Sequence, residues 1–342
     1  MGKIRIGMLG AGGISRAHLA GWQQCPELAE IVAVADPRRE AAEALAAAAG
    51  GAAVYHDFES LLAEAAVDAV DIVLPHDLHA PAAIAAAAAG RHVLVEKVMA
   101  CTLAECDAMI AAAESAGVKL MVCHDHRYHS VCAKIKELLD AGALGELQCL
   151  RFDHNQDVNM AGSWAFSKAR LGGGAIASCL VHQFDLMRWY AGDVAQVAAL
   201  TRVLPDRLEG ESIAVVPLRF RNGALGDAVI NWNLRGQGYD HGGRLGTGAM
   251  WYELIWLAGS EGNLHNLGGL HLLRHGGGGY ERIEVEVVPG HIGAMRHFAE
   301  CIRDDRQPLT DGRAGRAALE IAVAAYRSEE TGRVVDLPSS GI

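Results

Sequence analysis

Residues 4–15 read IRIGMLGAGGIS, an apolar run that passes through a glycine-rich turn into a helical segment. Gly10 permits a tight turn, and Gly12 lets a pyrophosphate approach the backbone. The N-terminus of the following helix supplies free N–H groups and a partial positive charge. Asp36 ends the next apolar run, near the spacing expected for a carboxylate that binds a ribose. The stretch therefore predicts the first βαβ unit of a dinucleotide-binding sheet.

Apolar runs and helical segments alternate as far as residue 123. The predicted strands are residues 4–9, 31–35, 69–74, 92–95 and 119–122, and the predicted helices are 14–25, 37–49, 58–65, 81–89 and 102–116. Short apolar runs suit strands buried on both faces of a parallel sheet. Gly50, Gly90 and Gly117 follow three of the helices, where glycine commonly ends a helix. Residues 1–123 are therefore predicted to form an α/β domain with a doubly wound parallel sheet.

A different order of elements begins at residue 124. The predicted helices are residues 130–140, 175–190, 291–303 and 313–331, and the predicted strands are 146–153, 196–203, 213–220, 226–232, 251–258, 270–273 and 283–288. Strands joined by short turns, such as Asn222 with Gly223, predict an antiparallel sheet. Residues 124–342 thus predict a C-terminal α+β domain. Within it, the glycine-rich residues 235–248 suit a lid, an intersubunit arm or a plain surface loop.

Composition limits the partners and the compartment. The 342 residues carry 30 Lys and Arg against 41 Asp and Glu, a net charge of −11. This acidic balance argues against nucleic acid or an anionic membrane, because phosphate binding requires a basic surface. No apolar run reaches the roughly 18 residues of a membrane helix, and the start of the chain lacks the pattern of a signal peptide. The eight cysteines contain no CxxC pair, so reduced thiols in a cytoplasmic protein are expected.

The glycine-rich turn also identifies a cofactor. Its predicted cofactor contacts are Gly10, Gly12, Gly13 and Ile14. Ser15 replaces the third glycine of the dinucleotide fingerprint by another small residue. Asp36 is expected to bind the ribose, to cap the next helix, or both. A carboxylate at that position repels a 2′-phosphate and favours NAD, while Arg38 and Arg39 keep NADP open.

Further candidate cofactor contacts follow the strands predicted at 69–74 and 92–95. They are Leu74, Pro75, His76, His79, Glu96 and Lys97. Ligands of open α/β sheets bind at the carboxyl ends of the strands. A lysine that ends a buried strand is costly unless it is paired or functional, so a salt bridge to Glu96 is the alternative to a catalytic role. His182 lies on a predicted helix, where a lone histidine is more often structural.

Five segments together resemble the Gfo/Idh/MocA family of nicotinamide-dependent sugar and cyclitol oxidoreductases. They are GMLGAGGISRAH at 7–18, VDAVDIVLPHDLHAPAAIAAAAAGRHVLVEK at 67–97, VCHDHRYHSVCAKIKELLDAGALGEL at 122–147, LGGGAIASCLVHQFDLMRWYAG at 171–192 and LTDGRAGRAALEIAVAAYRSEETGRVVDLP at 309–338. The resemblance implies an N-terminal Rossmann domain and a C-terminal α+β domain on a large, mostly antiparallel open sheet. It also implies a homodimer or homotetramer built through that sheet.

The resemblance further assigns roles to individual residues. It implies that Lys97 lies beside the nicotinamide and the reacting hydroxyl, and that His182 is the catalytic histidine. The full set of expected substrate contacts is Lys97, Asp125, Tyr128, His154, Trp164, Ser178 and His182, and His126 is expected at the cofactor. His154 and Trp164 follow the first strand of the second domain, where polar side chains suit a polyol.

The sequence departs from the family pattern at four positions. Val98 replaces the proline of the Glu-Lys-Pro motif, and Ser178 stands where many members carry an aspartate. Asp125 and His76 each replace a common asparagine. Ser178 cannot supply the anionic partner that would orient His182, so the family fold is a firmer expectation than its chemistry.

The expected reaction is oxidation or formation of a secondary alcohol. His182 is assigned as general base and Lys97 as stabiliser of the alkoxide and proton relay, because histidine titrates near neutrality and an ammonium group stabilises an oxyanion. Two alternatives stay open: a redox-neutral NAD-dependent enzyme that cleaves a glycosidic bond by elimination, and an NAD(P)-sensing regulator without chemistry.

A metal site is not expected from the sequence. Cys123, His124, His126 and His129 have the residue types of metal ligands, but no second dense cluster completes a site. Polar contacts with substrate or cofactor are the favoured interpretation of these residues.

Overall fold

The computed structural model describes residues 2–234, 238–239, 245–246 and 253–338. Its helices are α1 Ser15–Gln23, α2 Arg39–Ala48, α3 Phe58–Glu64, α4 His79–Ala88, α5 Leu103–Ala116, α6 Ser130–Asp140, α7 Lys168–Leu171, α8 Val181–Ala191, α9 Gly290–Arg303 and α10 Gly312–Thr331. Its strands are β1 Ile4–Leu9, β2 Ala29–Ala35, β3 Ala53–Tyr55, β4 Ala69–Ile72, β5 His92–Glu96, β6 Leu120–Cys123, β7 Leu147–Asn155, β8 Val194–Val197, β9 Leu200–Val203, β10 Glu211–Phe220, β11 Leu225–Asn231, β12 Gly238–Tyr239, β13 Leu245–Gly246, β14 Glu253–Gly259, β15 Gly262–His265, β16 Leu270–Arg274, β17 Glu281–Ile283 and β18 Val335–Asp336.

The first sheet is parallel throughout, with strand order β3-β2-β1-β4-β5-β6. This is the order of a doubly wound dinucleotide-binding fold, and it confirms the predicted Rossmann domain. Strand β3 is missing from the prediction because it has only three residues, and none of them is fully buried. Gly50, Gly90 and Gly117 all have positive φ after their helices, as predicted.

The chain divides into two compact units, and their boundaries differ from the predicted domains 1–123 and 124–342. One unit holds residues 1–128 with 289–317, and the other holds 129–288 with 318–342. Helix α9 belongs to the first unit because it packs closely against α1: a Cβ on Gly21 would lie 2.9 Å from the His291 carbonyl oxygen. At Gly290 a Cβ would overlap the carbonyl oxygen of Asp125. A division by consecutive segments therefore misses this returning part of the chain.

The second unit contains a ten-stranded sheet in the order β17-β16-β15-β14-β7-β11-β10-β8-β18, with β9 paired to β10. Its pairings are antiparallel except that of β7 with β11, so the predicted mostly antiparallel open sheet is confirmed. The predicted strand at 196–203 is two strands, β8 and β9. The predicted strand at 283–288 is wrong, because the pairing with β16 covers Glu281–Ile283 only.

Two further expectations concern particular segments. Most of residues 235–248, the segment that suits a lid, an intersubunit arm or a plain surface loop, lies outside the described residues. Among the described residues, every helix is too short or too polar to cross a membrane.

Candidate cofactor site and active site

The loops that follow β1, β2 and β4 meet at one edge of the parallel sheet. Gly10 has a φ of 103°, and a Cβ there would overlap the carbonyl oxygen of Val73 after β4. The N–H of Ala11 donates to Oδ2 of Asp36 at the end of β2, at 2.8 Å. At Gly12 and Gly13 a Cβ would have no other atom within 4 Å. The backbone of this turn is therefore open to an approaching pyrophosphate, which fits the predicted dinucleotide.

Asp36 is held in place by the residue two positions later. Its side chain is 6% exposed, and Oδ1 accepts hydrogen bonds from the backbone N–H and Nε of Arg38 at 2.8 and 3.0 Å. Burial alone would raise the pKa of Asp36. The hydrogen bonds from Arg38 and Ala11 outweigh burial, and the pKa of this carboxyl group lies below its ordinary value. Helix α2 begins at Arg39 with Arg38 as its N-cap residue, so Asp36 does not cap it.

The loops after β4 and β5 are tied together by His79. Its Nδ1 lies 2.8 Å from the Val98 carbonyl oxygen, and its Nε2 lies 2.8 Å from that of Leu74. Burial lowers the pKa of His79, while its two carbonyl partners act in the opposite direction. The Lys97–Val98 peptide is cis. The two ring nitrogens of His79, a predicted cofactor contact, thus connect the backbone of the loop after β4 to that of the loop after β5.

Glu96 directly precedes Lys97 and belongs to a buried charged network. His18 of α1, which is fully buried, places Nδ1 at 2.9 Å from Oδ1 of Asp71 and Nε2 at 2.9 Å from Oε1 of Glu96. Burial lowers the pKa of His18, but Asp71 outweighs it and the pKa lies well above its ordinary value. Burial likewise opposes ionisation of Glu96, and His18 nevertheless holds the pKa of this carboxyl group far below its usual range. Glu96 Oε2 in turn accepts the backbone N–H of Lys97 at 3.1 Å.

His76, His126 and Tyr128, three other predicted contacts of the first unit, lie in two short helical turns. His76 is buried, and its ring centroid lies 5.4 Å from that of His79. His126 is also buried, in the turn Asp125–Tyr128 that follows β6. Tyr128 is hydrogen-bonded to the Thr310 hydroxyl at 3.2 Å, and burial raises the pKa of its phenol.

In the second unit, His182 lies near the start of α8, directly after a π-helical turn, Ile176–Leu180. A π turn inside a helix is uncommon and frequently occurs at functional sites. His182 and Ser178 are both buried, with 3% and 7% exposure. The predicted helix over 175–190 is therefore present, but its first part is more loosely wound.

Two residues distant in sequence hold the start of this helix. Tyr326 Oη accepts the N–H groups of Gly174 and Ala177 at 2.9 and 3.1 Å, and it donates to Oε1 of Glu211 at 2.9 Å. The same Glu211 oxygen accepts the N–H of Ile176 at 2.7 Å. A Cβ on Gly174 would overlap the Glu211 carboxylate. These contacts satisfy N–H groups that a helix start leaves without intrahelical partners.

His154 and Trp164 are predicted substrate contacts. His154 ends in a buried cluster, with Nε2 3.2 Å from Cys179 Sγ and Nδ1 3.3 Å from Gln183 Nε2. Trp164 begins a short 3-10 turn, and the guanidinium of Arg170 lies 5.9 Å from its ring centroid.

Several residues of these networks were missed by sequence reasoning. They are His18, Asp71, Glu211 and Tyr326. One signal was available: Asp71 is a charged residue inside an apolar run, and a buried charge requires a partner. Nothing local in the sequence identifies that partner as His18.

Family models match most of the chain. Residues 4–124 match the oxidoreductase family with an NAD-binding Rossmann fold, and residues 132–265 match the GFO/IDH/MocA C-terminal domain. The chain belongs to the GFO/IDH/MocA oxidoreductase family. The resemblance drawn from five sequence segments is thereby confirmed, and so is NAD as the cofactor of this domain type.

Individual relatives resemble the chain over nearly its whole length. The D-apiose dehydrogenase of Paraburkholderia graminis is 28% identical over 354 residues, covering 98% of this chain and 90% of that protein. The myo-inositol 2-dehydrogenase of Thermotoga maritima is 27% identical over 346 residues, covering 98% of each. The WlbA dehydrogenase of Bordetella pertussis, solved in complex with NADH and UDP-GlcNAcA, superposes with a TM-score of 0.83 at 29% identity, covering 98% of this chain and 99% of that chain.

Proposed function

We propose that this protein is an NAD-dependent dehydrogenase that transfers a hydride between a secondary hydroxyl of a sugar, sugar derivative or cyclitol and the nicotinamide. Its similarity to dehydrogenases named for apiose and myo-inositol supports polyhydroxy substrates. The observation that carries the proposal is the end of β5, where the buried Glu96 carboxylate fixes the backbone N–H of Lys97. Lys97 thereby stands at the carboxyl edge of the sheet, where ligands of this fold bind.

NAD, when bound, supplies the acceptor for the hydride that leaves the carbinol carbon. The chain's own task is to handle the hydroxyl proton and the charge that develops on oxygen. His182 takes the proton as general base, since histidine has a pKa near neutrality. The Lys97 ammonium donates a hydrogen bond to the developing alkoxide and relays the proton.

We further propose that the remaining predicted contacts act around these two residues. The cofactor contacts are Gly10, Gly12, Gly13, Ile14, Asp36, Arg38, Leu74, Pro75, His76, His79, Glu96 and His126, and the substrate contacts are Asp125, Tyr128, His154, Trp164 and Ser178. For Asp36 the proposal rests on its ordered carboxylate beside the glycine-rich turn. A homodimer or homotetramer through the large sheet and a cytoplasmic location complete the proposal.

The experiment is turnover of the purified protein with NAD against a panel of inositols, hexoses and glycosides, followed by NADH absorbance and product analysis. Lys97→Met is expected to lower kcat by roughly 10²-fold or more, while the Kd for NAD changes little. Lys134→Met is the matched control, because that ammonium pairs with Glu137 on α6 in the other unit. Near-normal turnover of Lys97→Met would reject its assigned role.

The panel also separates the alternatives. Product formed without net NADH would point to the redox-neutral elimination, which the absence of an aspartate at Ser178 leaves as the second candidate. NAD binding without turnover of any substrate would contradict dehydrogenase activity on this panel and favour a cofactor-sensing regulator.

A further inference from the structure

Four potential metal ligands converge in the first unit from four separate elements. They are His18 on α1, Glu96 on β5, Cys123 on β6 and His291 on α9. One donor atom from each lies within 4.8 Å of the donor atoms of the other three. In tetrahedral zinc sites, bonds of about 2.0–2.3 Å place the donor atoms about 3.3–3.8 Å apart. To surround one ion, the wider donor pairs have to move closer together and the His18–Glu96 pair, at 2.9 Å, has to move slightly apart.

The two histidines are oriented as metal-bound histidines commonly are. Nδ1 of His18 lies 2.9 and 3.0 Å from the two oxygens of Asp71, and this leaves Nε2 directed at Glu96. Nδ1 of His291 lies 3.4 Å from Asp125 Oδ2, while its Nε2 lies 3.9 Å from Glu96 Oε1. A carboxylate on the second ring nitrogen fixes the orientation of a metal-bound histidine and increases its basicity.

The frame around the cluster is closely packed. His18 and Cys123 have 0% exposure, and Trp22 Nε1 donates to Asp71 Oδ2 at 2.8 Å. Helix α9 is held against α1 at Gly21, where the His291 carbonyl leaves no room for a side chain. His291 is thus brought to the cluster by close helix packing.

We propose that His18, Glu96, Cys123 and His291 bind one zinc-class divalent cation in the first unit. Two imidazoles, a thiolate and a carboxylate are the nitrogen, sulfur and oxygen donors that Zn²⁺ and its probe Co²⁺ accept in tetrahedral geometry. Because the protein supplies all four ligands, the coordination sphere is closed and the ion is structural. The ion takes the place of the proton shared by His18 and Glu96, and it links α9 to the ends of β5 and β6. Of the possible ligands noted in the sequence, which are Cys123, His124, His126 and His129, this set contains Cys123 alone.

The experiment is metal uptake by tag-free protein after chelator treatment. We expect one Zn²⁺ per chain by elemental analysis and one Co²⁺ by titration, with a thiolate-to-cobalt charge-transfer band in the near ultraviolet. Cys123→Ser is expected to remove that band and to weaken zinc binding by roughly tenfold or more, as is His291→Gln. His291→Gln is the second test because the His291 side chain is partly exposed, so a folding failure of Cys123→Ser cannot decide the result.

Two matched variants control for burial and residue type. Cys25→Ser replaces a buried thiol that lies near Arg296 and Glu27, and His297→Gln replaces another histidine of α9. Both are expected to keep wild-type metal affinity. The proposal is overturned if the wild type takes up no metal, if Cys123→Ser keeps both the band and the affinity, or if the controls lose as much as the test variants. None of these readouts depends on turnover, so the result is independent of the proposed dehydrogenase activity.

Discussion

Tyr326→Phe is expected to loosen the helix that carries His182. The phenol oxygen accepts two backbone N–H groups, from Gly174 and Ala177, and donates to Glu211. Phenylalanine keeps the ring but removes all three hydrogen bonds. Leaving a buried donor without an acceptor costs roughly 1–3 kcal/mol. The contacts share one network and do not add fully, so the expected loss of unfolding free energy is about 2–4 kcal/mol.

The effect on activity follows from the same geometry. Ala177 lies in the π turn that leads directly into α8, and His182 is the second residue of that helix. Misplacement of a catalytic group by about 1 Å can cost on the order of 10²-fold in rate. We therefore expect kcat to fall by about tenfold to a hundredfold, with no change in the Kd for NAD, because the predicted cofactor contacts are in the other unit.

Urea unfolding followed by circular dichroism measures the stability, and NADH absorbance measures kcat. Tyr190→Phe is the matched control, since this buried tyrosine of α8 donates to the carbonyl oxygen of Cys132. Its expected cost is about 1 kcal/mol, with kcat nearly unchanged. If Tyr326→Phe unfolds at the wild-type urea concentration and keeps its kcat, then the phenol does not hold the helix start and the reasoning is wrong.

Three further predictions test the cofactor loop and one buried carboxyl group. Gly12→Ala should keep wild-type stability, because a Cβ there has no other atom within 4 Å, but it should bind NAD at least roughly tenfold more weakly than the wild type. Gly10→Ala should instead unfold more easily, because the φ of Gly10 is 103° and a Cβ there would overlap a backbone carbonyl oxygen. Asp36→Ala should weaken NAD binding about tenfold to a hundredfold and reduce the preference for NAD over NADP, as measured by titration of the variant with each dinucleotide. Unchanged affinities would show that Asp36 does not bind the ribose. Burial raises the pKa of Glu211. The stability of the wild type should therefore fall relative to that of Glu211→Gln as pH rises from the ordinary glutamate pKa through this raised value. Urea midpoints that run parallel for the two proteins across that pH range would contradict this prediction.

Most of the fold could be predicted because local patterns determine it. Strand β1 and helix α6 have the predicted bounds, since an apolar run and an amphipathic segment mark them. The glycines that end helices carry their conformational requirement in their own backbone. The domain boundary could not be predicted in this way. Helix α9 joins the first unit through contacts at Gly21 and Gly290, and these depend on a partner far away in the chain.

The candidate site likewise contains residues that local patterns predict and residues that depend on distant parts of the chain. Gly10 and Asp36 could be predicted because the dinucleotide fold places a tight turn and a carboxylate at fixed points of one βαβ unit. The bond between Asp36 and Arg38 is equally local. By contrast, the contacts of Tyr326 with Gly174 and Glu211 join residues on three elements, and no periodicity in the sequence relates them. Such contacts depend on tertiary packing, so composition and spacing contain no signal for them.

The charged network behind Lys97 is better explained by positioning than by stability. Removing His18, Asp71 and Glu96 from water carries a large desolvation cost, and well-packed apolar residues in place of such groups are often as stable or more stable. What an apolar core cannot supply is an acceptor for the Lys97 N–H at a fixed place. Glu96 supplies it, and His18 fixes Glu96 through one ring nitrogen while Asp71 fixes His18 through the other. This network thereby holds the end of β5 in place, and it is at that point that the proposed chemistry needs rigidity.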